Sequence, residues 1–255
     1  MIEGTSQPQS SPDPRGPDPR IPRMKITVVG ASGLIGSKVV ESLKHEGHDV
    51  VASSRSSGVD VLTGAGLTDA LAGADALVDV TNSPSFETDA VMAFFTTSAT
   101  NLMEAARVAG VGHYVALSIV GVDGLQDGGY FRAKVAQEKI ISESGIPYSI
   151  VRATQFAEFA DAITESMTVE NEVRVPDALI QPIPADEVAA AVARAAAGKP
   201  LNGVVDVGGP HKITFEQLAR DALARKGDGT KTVVVDPEAR YYGAALGTRS
   251  LVTPN

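Results

Sequence analysis

Short apolar runs alternate along the chain with longer stretches in which apolar residues recur at helical spacing. The run 25–29 (KITVV) is rich in β-branched residues and ends at a glycine, which is typical of a buried strand. In 34–46 the apolar positions have helical spacing and Gly47 follows, so a helix is predicted there. The same patterns predict strands at 49–52, 60–62, 76–80, 113–118 and 148–152, and helices at 67–72, 89–109 and 131–144.

This alternation of strands and helices is typical of parallel βαβ units. It predicts an α/β fold with a doubly wound parallel sheet over 24–152. Beyond Arg152 the alternation is less regular, and the patterns predict helices at 186–197 and 215–225 and strands at 204–207 and 232–235. We interpret 153–255 as a small C-terminal lobe packed on the sheet domain. Because ligands of open α/β sheets bind outside the carboxyl ends of the strands, this lobe is expected to form one wall of a substrate cleft.

The segment 1–23 lacks these patterns and holds six of the fifteen prolines. Proline removes backbone hydrogen-bond donors, and the segment has almost nothing apolar to bury. It is predicted to be a disordered, Pro-rich tail that takes no part in the fold, and a role as a docking arm is left open.

Composition excludes several classes of function. The chain of 255 residues has 22 Lys and Arg against 31 Asp and Glu, a net charge of −9, which disfavours binding to nucleic acid or to an anionic membrane. The absence of cysteine excludes disulfides, thiolate catalysis and Cys-based metal sites, and the four histidines have no metal-binding spacing. No apolar run is long enough for a membrane span, and no signal peptide is visible. A cytoplasmic protein without a metal is expected.

The strongest chemical signal is a glycine motif between the first predicted strand and the first predicted helix. Its members are Gly30, Ala31, Ser32, Gly33, Leu34, Ile35 and Gly36. In this position such a motif is typical of dinucleotide binding, because it allows a tight turn, close approach of the backbone to a diphosphate and close packing of the helix. The alternatives are a glycine-rich turn without a ligand, or a nucleotide triphosphatase loop, which is a poorer match in spacing and residue order.

The residues after the second predicted strand bear on the choice of cofactor. They read Ser53-Ser54-Arg55, and no carboxylate stands where NAD-binding proteins have one for the ribose 2′-hydroxyl. Arg55 offers a planar guanidinium for a 2′-phosphate, so NADP(H) is favoured over NAD(H). The alternative is that Arg55 is a solvated loop residue.

Four segments along the chain carry a family resemblance. These are GASGLIG at 30–36, LSIVG at 117–121, YFRAK at 130–134 and SGIPYSIVR at 144–152. With them the chain resembles an atypical short-chain dehydrogenase/reductase of the NmrA-like, NAD(P)-binding family, over nearly its whole length except the tail. The resemblance implies a Rossmann-type cofactor domain and a small substrate lobe. In this family an Arg such as Arg152 is often followed by proline, where this chain has Ala153.

The resemblance also implies catalytic residues. Tyr130 would be the general acid for a carbonyl oxygen, and Lys134, one helical turn later, would lower the pKa of the tyrosine from its ordinary value near 10. Lys134 would also hold the nicotinamide ribose, and Ser118 would bind the substrate oxygen. Thr81 and Asn82 are expected to contact the cofactor, and Gln155 and Phe156 the nicotinamide or substrate.

Two functions from different classes follow. The first is an NADPH-dependent oxidoreductase that transfers hydride to a small carbonyl or quinone substrate, with Tyr130 as acid. The second is a non-catalytic NADP(H)-binding redox sensor that acts through a regulatory protein partner. An isomerase or epimerase that uses the cofactor transiently ranks lower. A homo-oligomer is left open.

Overall fold

The computed structural model describes residues 22–254, so nearly all of the predicted tail lies outside the described residues. The main sheet contains β1 Lys25–Val29, β2 Asp49–Ser53, β3 Ala76–Asp79, β4 His113–Ile119, β5 Tyr148–Ala153 and β9 Gly203–Val207. The shorter strands are β6 Thr168–Val169, β7 Glu172–Val175, β8 Leu179–Ile180, β10 Ile213–Thr214, β11 Thr232–Val235, β12 Arg240–Tyr241 and β13 Ala244–Ala245. The helices are α1 Leu34–His45, α2 Leu67–Leu71, α3 Thr88–Ala109, α4 Gly129–Glu143, α5 Ala160–Ser166, α6 Ala185–Ala197 and α7 Phe215–Lys226.

The six main strands are all parallel and lie in the order β2-β1-β3-β4-β5-β9. The predicted doubly wound α/β fold is therefore confirmed. The chain leaves β1 toward β2 on one side and returns to β3 on the other, so the strand order reverses at β1. In sheets of this kind the crevice at that reversal, at the carboxyl ends of the strands, is where ligands bind.

Helices cover both faces of the sheet because successive strand residues point to opposite sides. On one face, Leu77 and Ile150 pack with Phe95 and Leu102 of α3. On the other face, the strand residues Val28, Val78 and Val115 pack with α1 and α6. These helices contribute buried residues such as Val39 and Val192. The sheet is thus the middle layer of three.

The strand predicted at 60–62 is wrong, because this segment forms a turn in the structure. The Asp60 carboxylate accepts the Leu62 backbone N–H at 2.8 Å, and the Asp60 carbonyl accepts the Gly64 N–H at 2.9 Å. An aspartate that bonds its own downstream backbone favours a turn over a strand. Val59 and Val61 are nevertheless buried, which explains the apolar pattern.

The chain beyond Arg152 contributes to both parts of the molecule. The helix α6 packs on α1, and β9 pairs with β5 at the edge of the main sheet. The remaining elements include a small sheet, β11-β7-β6, and the helices α5 and α7, which share a third apolar cluster. The division of the chain at Arg152 stays a prediction. Two elements from beyond it, α6 and β9, belong to the layers of the main sheet.

Candidate functional site

A cleft of about 630 Å³ lies at the carboxyl ends of β1, β2, β3 and β4. The segments that follow these strands, together with α4, provide most of its walls. Predicted site residues that line it are Gly30, Ser32, Gly33, Leu34, Ile35, Ser54, Arg55, Thr81, Asn82, Ser118, Tyr130, Lys134 and Phe156. Residues far apart in the sequence are therefore brought to one cavity.

The glycine motif forms a tight loop between β1 and α1. Gly30 has φ +88°, and a Cβ there would lie 2.8 Å from the Val80 carbonyl oxygen. A Cβ at Gly36 would overlap the Gly30 carbonyl oxygen, so this glycine allows the helix to pack on the loop. Gly33 is the N-cap of α1 and provides no side-chain cap. The first-turn N–H groups of the helix are therefore available, as an anion site requires.

The loop after β2 provides a second wall. Ser53 is buried, and its carbonyl oxygen accepts the N–H groups of Gly30 and Ala31 at 3.0 and 3.1 Å, so it holds the glycine loop through its backbone. Ser54 and Arg55 line the cleft, as does Ser56, whose hydroxyl lies 2.8 Å from that of Ser54. Arg55 is exposed, and no ion pair joins it to a carboxylate within 22–254. Ser56 was missed in the sequence because serine alone carries no specific signal.

The loop after β3 is anchored by the buried carboxylate of Asp79. Its Oδ1 accepts the Thr81 N–H at 3.0 Å and the Thr81 hydroxyl at 2.7 Å. The Thr81 side chain is therefore engaged within the protein. Asn82 follows, and its Oδ1 accepts the phenolic O–H of Tyr130 at 2.8 Å. This bond links the loop after β3 to the start of α4.

Tyr130 lies in the first turn of α4, and its phenol faces Asn82. Burial, followed by the neighbouring Tyr242, raises the pKa of Tyr130 above its usual value. This direction is opposite to the lowering expected from Lys134. The reason is geometric, because the Lys134 ammonium donates to the Leu117 carbonyl oxygen at 2.9 Å and to Gln137 Oε1.

Lys134 is a buried cation beside the cleft. Its Nζ lies 4.4 Å from the centre of the Phe95 ring. Burial lowers the pKa of Lys134 to about 8, although the charges of Asp79 and Glu138 oppose this effect. An amine with a pKa near neutrality is typical of functional lysines.

Behind Lys134 lies a buried hydrogen-bond network that sequence reasoning missed. Gln137, one helical turn after Lys134, donates its Nε2 to Asp79 Oδ2 at 2.8 Å, and the Tyr114 hydroxyl donates to the same oxygen at 2.9 Å. Asp79 therefore connects the cation to the loop that carries Thr81 and Asn82. The only signal in the sequence was the helical spacing of Lys134 and Gln137.

A second pocket of about 160 Å³ adjoins the cleft, and we call it the aromatic pocket. Its aromatic lining consists of Phe86, Tyr130, Phe131, Phe156, Phe159, Tyr241 and Tyr242, and its polar lining of Asn82, Ser118, Thr154 and Gln155. Ser118 is buried at the end of β4, and its hydroxyl has no hydrogen-bond partner within 22–254. Phe86 is 56% exposed and lies 5.5 Å from the Tyr130 ring and 5.3 Å from the Tyr242 ring.

Arg152 ties the end of β5 to the segments before and within α4. It forms ion pairs with Asp123 at 2.6 Å and with Glu138 at 2.5 Å. These carboxylates raise the pKa of Arg152. Ala153, which stands where related proteins often have proline, continues β5, and its carbonyl accepts the Val120 N–H at 3.0 Å.

Two other kinds of feature are absent from the part of the chain that the structure describes. No group of His, Asp and Glu side chains could hold a metal ion there. No helix there has the length and apolar character needed to cross a membrane.

Comparison with protein families matches residues 30–199 to the family described as NAD(P)H-binding. The chain belongs to this family. The resemblance to an NAD(P)-binding family is thereby confirmed. No functionally curated protein matches the sequence.

Solved structures share the fold. The Escherichia coli NADPH-dependent quinone oxidoreductase, complexed with NADPH, is 24% identical with a TM-score of 0.59, over 83% of this chain and 77% of that one. The Citrobacter sp. triphenylmethane reductase, complexed with NADP(H), is 22% identical with a TM-score of 0.59, over 85% and 80%. The Thermus thermophilus UDP-glucose 4-epimerase, complexed with NAD, is 20% identical with a TM-score of 0.68, over 91% of each chain. These neighbours include both reductases and an epimerase, with either cofactor.

Proposed function

We propose that this protein is an NADP(H)-dependent reductase of a small carbonyl or quinone compound. One observation carries the proposal: the glycine loop, Arg55, Tyr130 and Lys134 line one cleft, and the aromatic pocket shares Tyr130 and Ser118 with it. The cleft would bind the cofactor, and the adjoining aromatic pocket would place a substrate oxygen beside Tyr130 and Ser118.

The residues present fit a dinucleotide with a 2′-phosphate. Gly33 and the first turn of α1 would hold the diphosphate, since no side chain caps the N–H groups at the start of that helix. Arg55 and the hydroxyls of Ser54 and Ser56 would hold the 2′-phosphate. The loop at Thr81 and Asn82 would contact the ribose side, and Lys134 the nicotinamide ribose.

When bound, the nicotinamide would supply hydride to the carbonyl carbon of the substrate. The protein would supply the proton, which moves from the Tyr130 hydroxyl to the substrate oxygen. Tyr130 is protonated at neutral pH, as a tyrosine of ordinary pKa is, and its O–H bonds Asn82 Oδ1 until a substrate oxygen replaces that acceptor. The unpartnered Ser118 hydroxyl would bind the same oxygen.

The size of the aromatic pocket favours a reductase over a sugar-nucleotide epimerase. Its volume is about 160 Å³. Pockets for drug-sized ligands are larger, about 300–1,000 Å³. The walls of the pocket are mostly aromatic. A compact, flat substrate fits such a pocket better than a sugar nucleotide. We regard 153–255 as the part that contributes the substrate wall.

The first experiment is calorimetric titration of the protein with NADPH and, in parallel, NADH, followed by a screen of carbonyl and quinone compounds. Tight NADPH binding with reduction of a compound supports the proposal. Failure to bind either nucleotide would overturn it. A redox sensor would instead bind NADPH and NADP⁺ with different affinities, change its assembly state between them and reduce nothing.

Replacing Arg55 tests the cofactor preference. Arg55→Ala is expected to weaken NADPH binding about 10- to 100-fold, because charge-assisted hydrogen bonds to the 2′-phosphate are lost, and to leave NADH binding unchanged. The matched control is Arg107→Ala, which removes an exposed arginine paired with Glu104 on α3. Equal weakening of both nucleotides would show that Arg55 does not recognise the 2′-phosphate.

A further inference from the structure

Unsatisfied buried polar atoms are concentrated in the aromatic pocket. Within residues 22–254, five buried side-chain atoms lack a hydrogen-bond partner, and three of them belong to residues that line this pocket. These three are Ser118 Oγ, Thr154 Oγ1 and Gln155 Oε1. Buried polar atoms are nearly always paired in folded proteins, so a cluster of unpaired ones beside a cavity indicates groups that a ligand satisfies.

The proposed reduction accounts for only one of the three atoms. Ser118 serves the oxygen that is reduced, together with Tyr130. Thr154, which is 1% exposed, and Gln155 follow β5 and have no part in that step. They therefore point to a second polar group on the substrate.

The chemistry of the two side chains restricts this second group. The amide oxygen of Gln155 only accepts hydrogen bonds, so its partner must carry an O–H or N–H. The Thr154 hydroxyl both donates and accepts. A hydroxyl substituent can meet either demand, whereas an ether or a halogen cannot donate to Gln155.

The walls restrict the rest of the substrate. Phe86 and Tyr242 stack with ring centres 5.3 Å apart, and Phe156 and Phe159 lie 5.5 Å apart. Aromatic side chains of this kind pack well against a flat ring. The small volume leaves room for a compact ring system only.

We propose that the aromatic pocket selects hydroxylated aromatic carbonyl or quinone compounds, and that Thr154 and Gln155 recognise the hydroxyl group. The carbonyl or quinone part of this inference rests on the proposed function. The hydroxyl preference is a property of binding and does not depend on the reaction. The hydroxyl preference can therefore be measured without turnover.

The binding experiment compares 2-naphthol with 2-methoxynaphthalene by calorimetry, on the full chain alone and with NADP⁺. We expect 2-naphthol to bind at least about 10-fold more tightly, because the methoxy group cannot donate to Gln155. Gln155→Met, which keeps the length of the side chain, should abolish the preference, and Thr154→Val should reduce it. Gln217→Met is the matched control, since Gln217 is an exposed glutamine on α7 bonded to Asp221.

The outcomes separate this inference from the proposed function. Equal binding of the two compounds, no binding of either, or an unchanged preference in both pocket variants overturns the inference. A hydroxyl preference that disappears in Gln155→Met supports it, even if no compound is reduced, in which case the proposed reaction fails alone. With a reducible pair, 6-hydroxy- and 6-methoxy-1,4-naphthoquinone, the same preference should be seen in kcat/KM.

Discussion

Tyr130→Phe is expected to lower kcat for the reduction by about 10²- to 10⁴-fold, the usual contribution of a positioned general acid. The substitution removes only the hydroxyl, so the ring still packs against Phe86 and Phe95, 5.5 and 5.8 Å away between centres. Binding of NADPH should be unchanged, because the phenol bonds Asn82 rather than the glycine loop. The measurement is steady-state kinetics together with calorimetric titration of the cofactor.

Tyr148→Phe provides the control for this experiment. Tyr148 is also half-buried, but it begins β5 and so lies at the opposite end of the strands from the cleft, and loss of its hydroxyl should leave kcat unchanged. Turnover in Tyr130→Phe equal to that of the parent protein would remove Tyr130 from the mechanism. A parallel loss of NADPH affinity would instead indicate that the phenol contributes to cofactor binding.

The fold and the glycine loop could be predicted because their signals are local. A β-branched strand, a glycine turn and an amphipathic helix follow one another within about twenty residues, and parallel βαβ units have few alternative arrangements. The one wrong strand, at 60–62, failed for an equally local reason. The Asp60 side chain competes for the backbone N–H groups that a strand would need, and an apolar count does not detect this.

The surroundings of Tyr130 and Lys134 could not be predicted because they depend on distant contacts. Gln137 reaches Asp79 across 58 positions of the sequence, and Tyr130 reaches Asn82 across 48. The expectation that Lys134 lowers the pKa of Tyr130 assumed that the ammonium of Lys134 lies beside the phenol one helical turn before it. In the structure the ammonium turns to the Leu117 carbonyl, and burial then determines the pKa of each group. The contribution of Phe86 and Tyr241 to the aromatic pocket could not be predicted either, since these residues join it from distant positions in the chain.

Lys134 is expected to give the protein a distinctive dependence of stability on pH. Its pKa is about 8 in the folded state and near 10.5 in the unfolded chain, so between these values the unfolded state binds more protons. Stability therefore rises with pH from about 8 toward 10.5, and below pH 8 the cost of the buried charge is fully present. From pH 7 to 9.5 the rise in the free energy of unfolding due to Lys134 amounts to about 2 kcal/mol.

Denaturant unfolding of the parent protein and of Lys134→Met over that range measures this contribution. The difference between the two curves isolates Lys134, because Tyr114, Tyr130 and the other groups that titrate are common to both proteins. The variant should lose the rise and should also lose most of its reductase activity. Identical pH dependence in the two proteins would mean that Lys134 is not a buried cation in the folded state.

The network behind Lys134 can be tested by its effect on the same pKa. The charged groups near the ammonium are Asp79 from β3 and Glu138 from α4, which is paired with Arg152, while α3 contributes the uncharged Phe95 ring. Gln137→Met removes an acceptor of the charged form, so it should lower the Lys134 pKa below about 8 and move the rise in stability to lower pH. An NMR titration of the lysine Cε resonances, assigned with Lys134→Met, measures the shift.

Tyr114→Phe is the matched control for the network. Tyr114 is buried and bonds the same Asp79 oxygen as Gln137, but it does not contact the ammonium. A smaller shift in Tyr114→Phe than in Gln137→Met is expected, because the acceptors of Lys134 stay in place. Equal shifts would show a general disturbance of the core around Asp79, and no shift in Gln137→Met would show that the Leu117 carbonyl alone positions the ammonium. A specific shift would identify Gln137 as the residue that joins the cation to the carboxylate under the cofactor-side loop, so that one buried network sets both the charge of Lys134 and the position of Asn82.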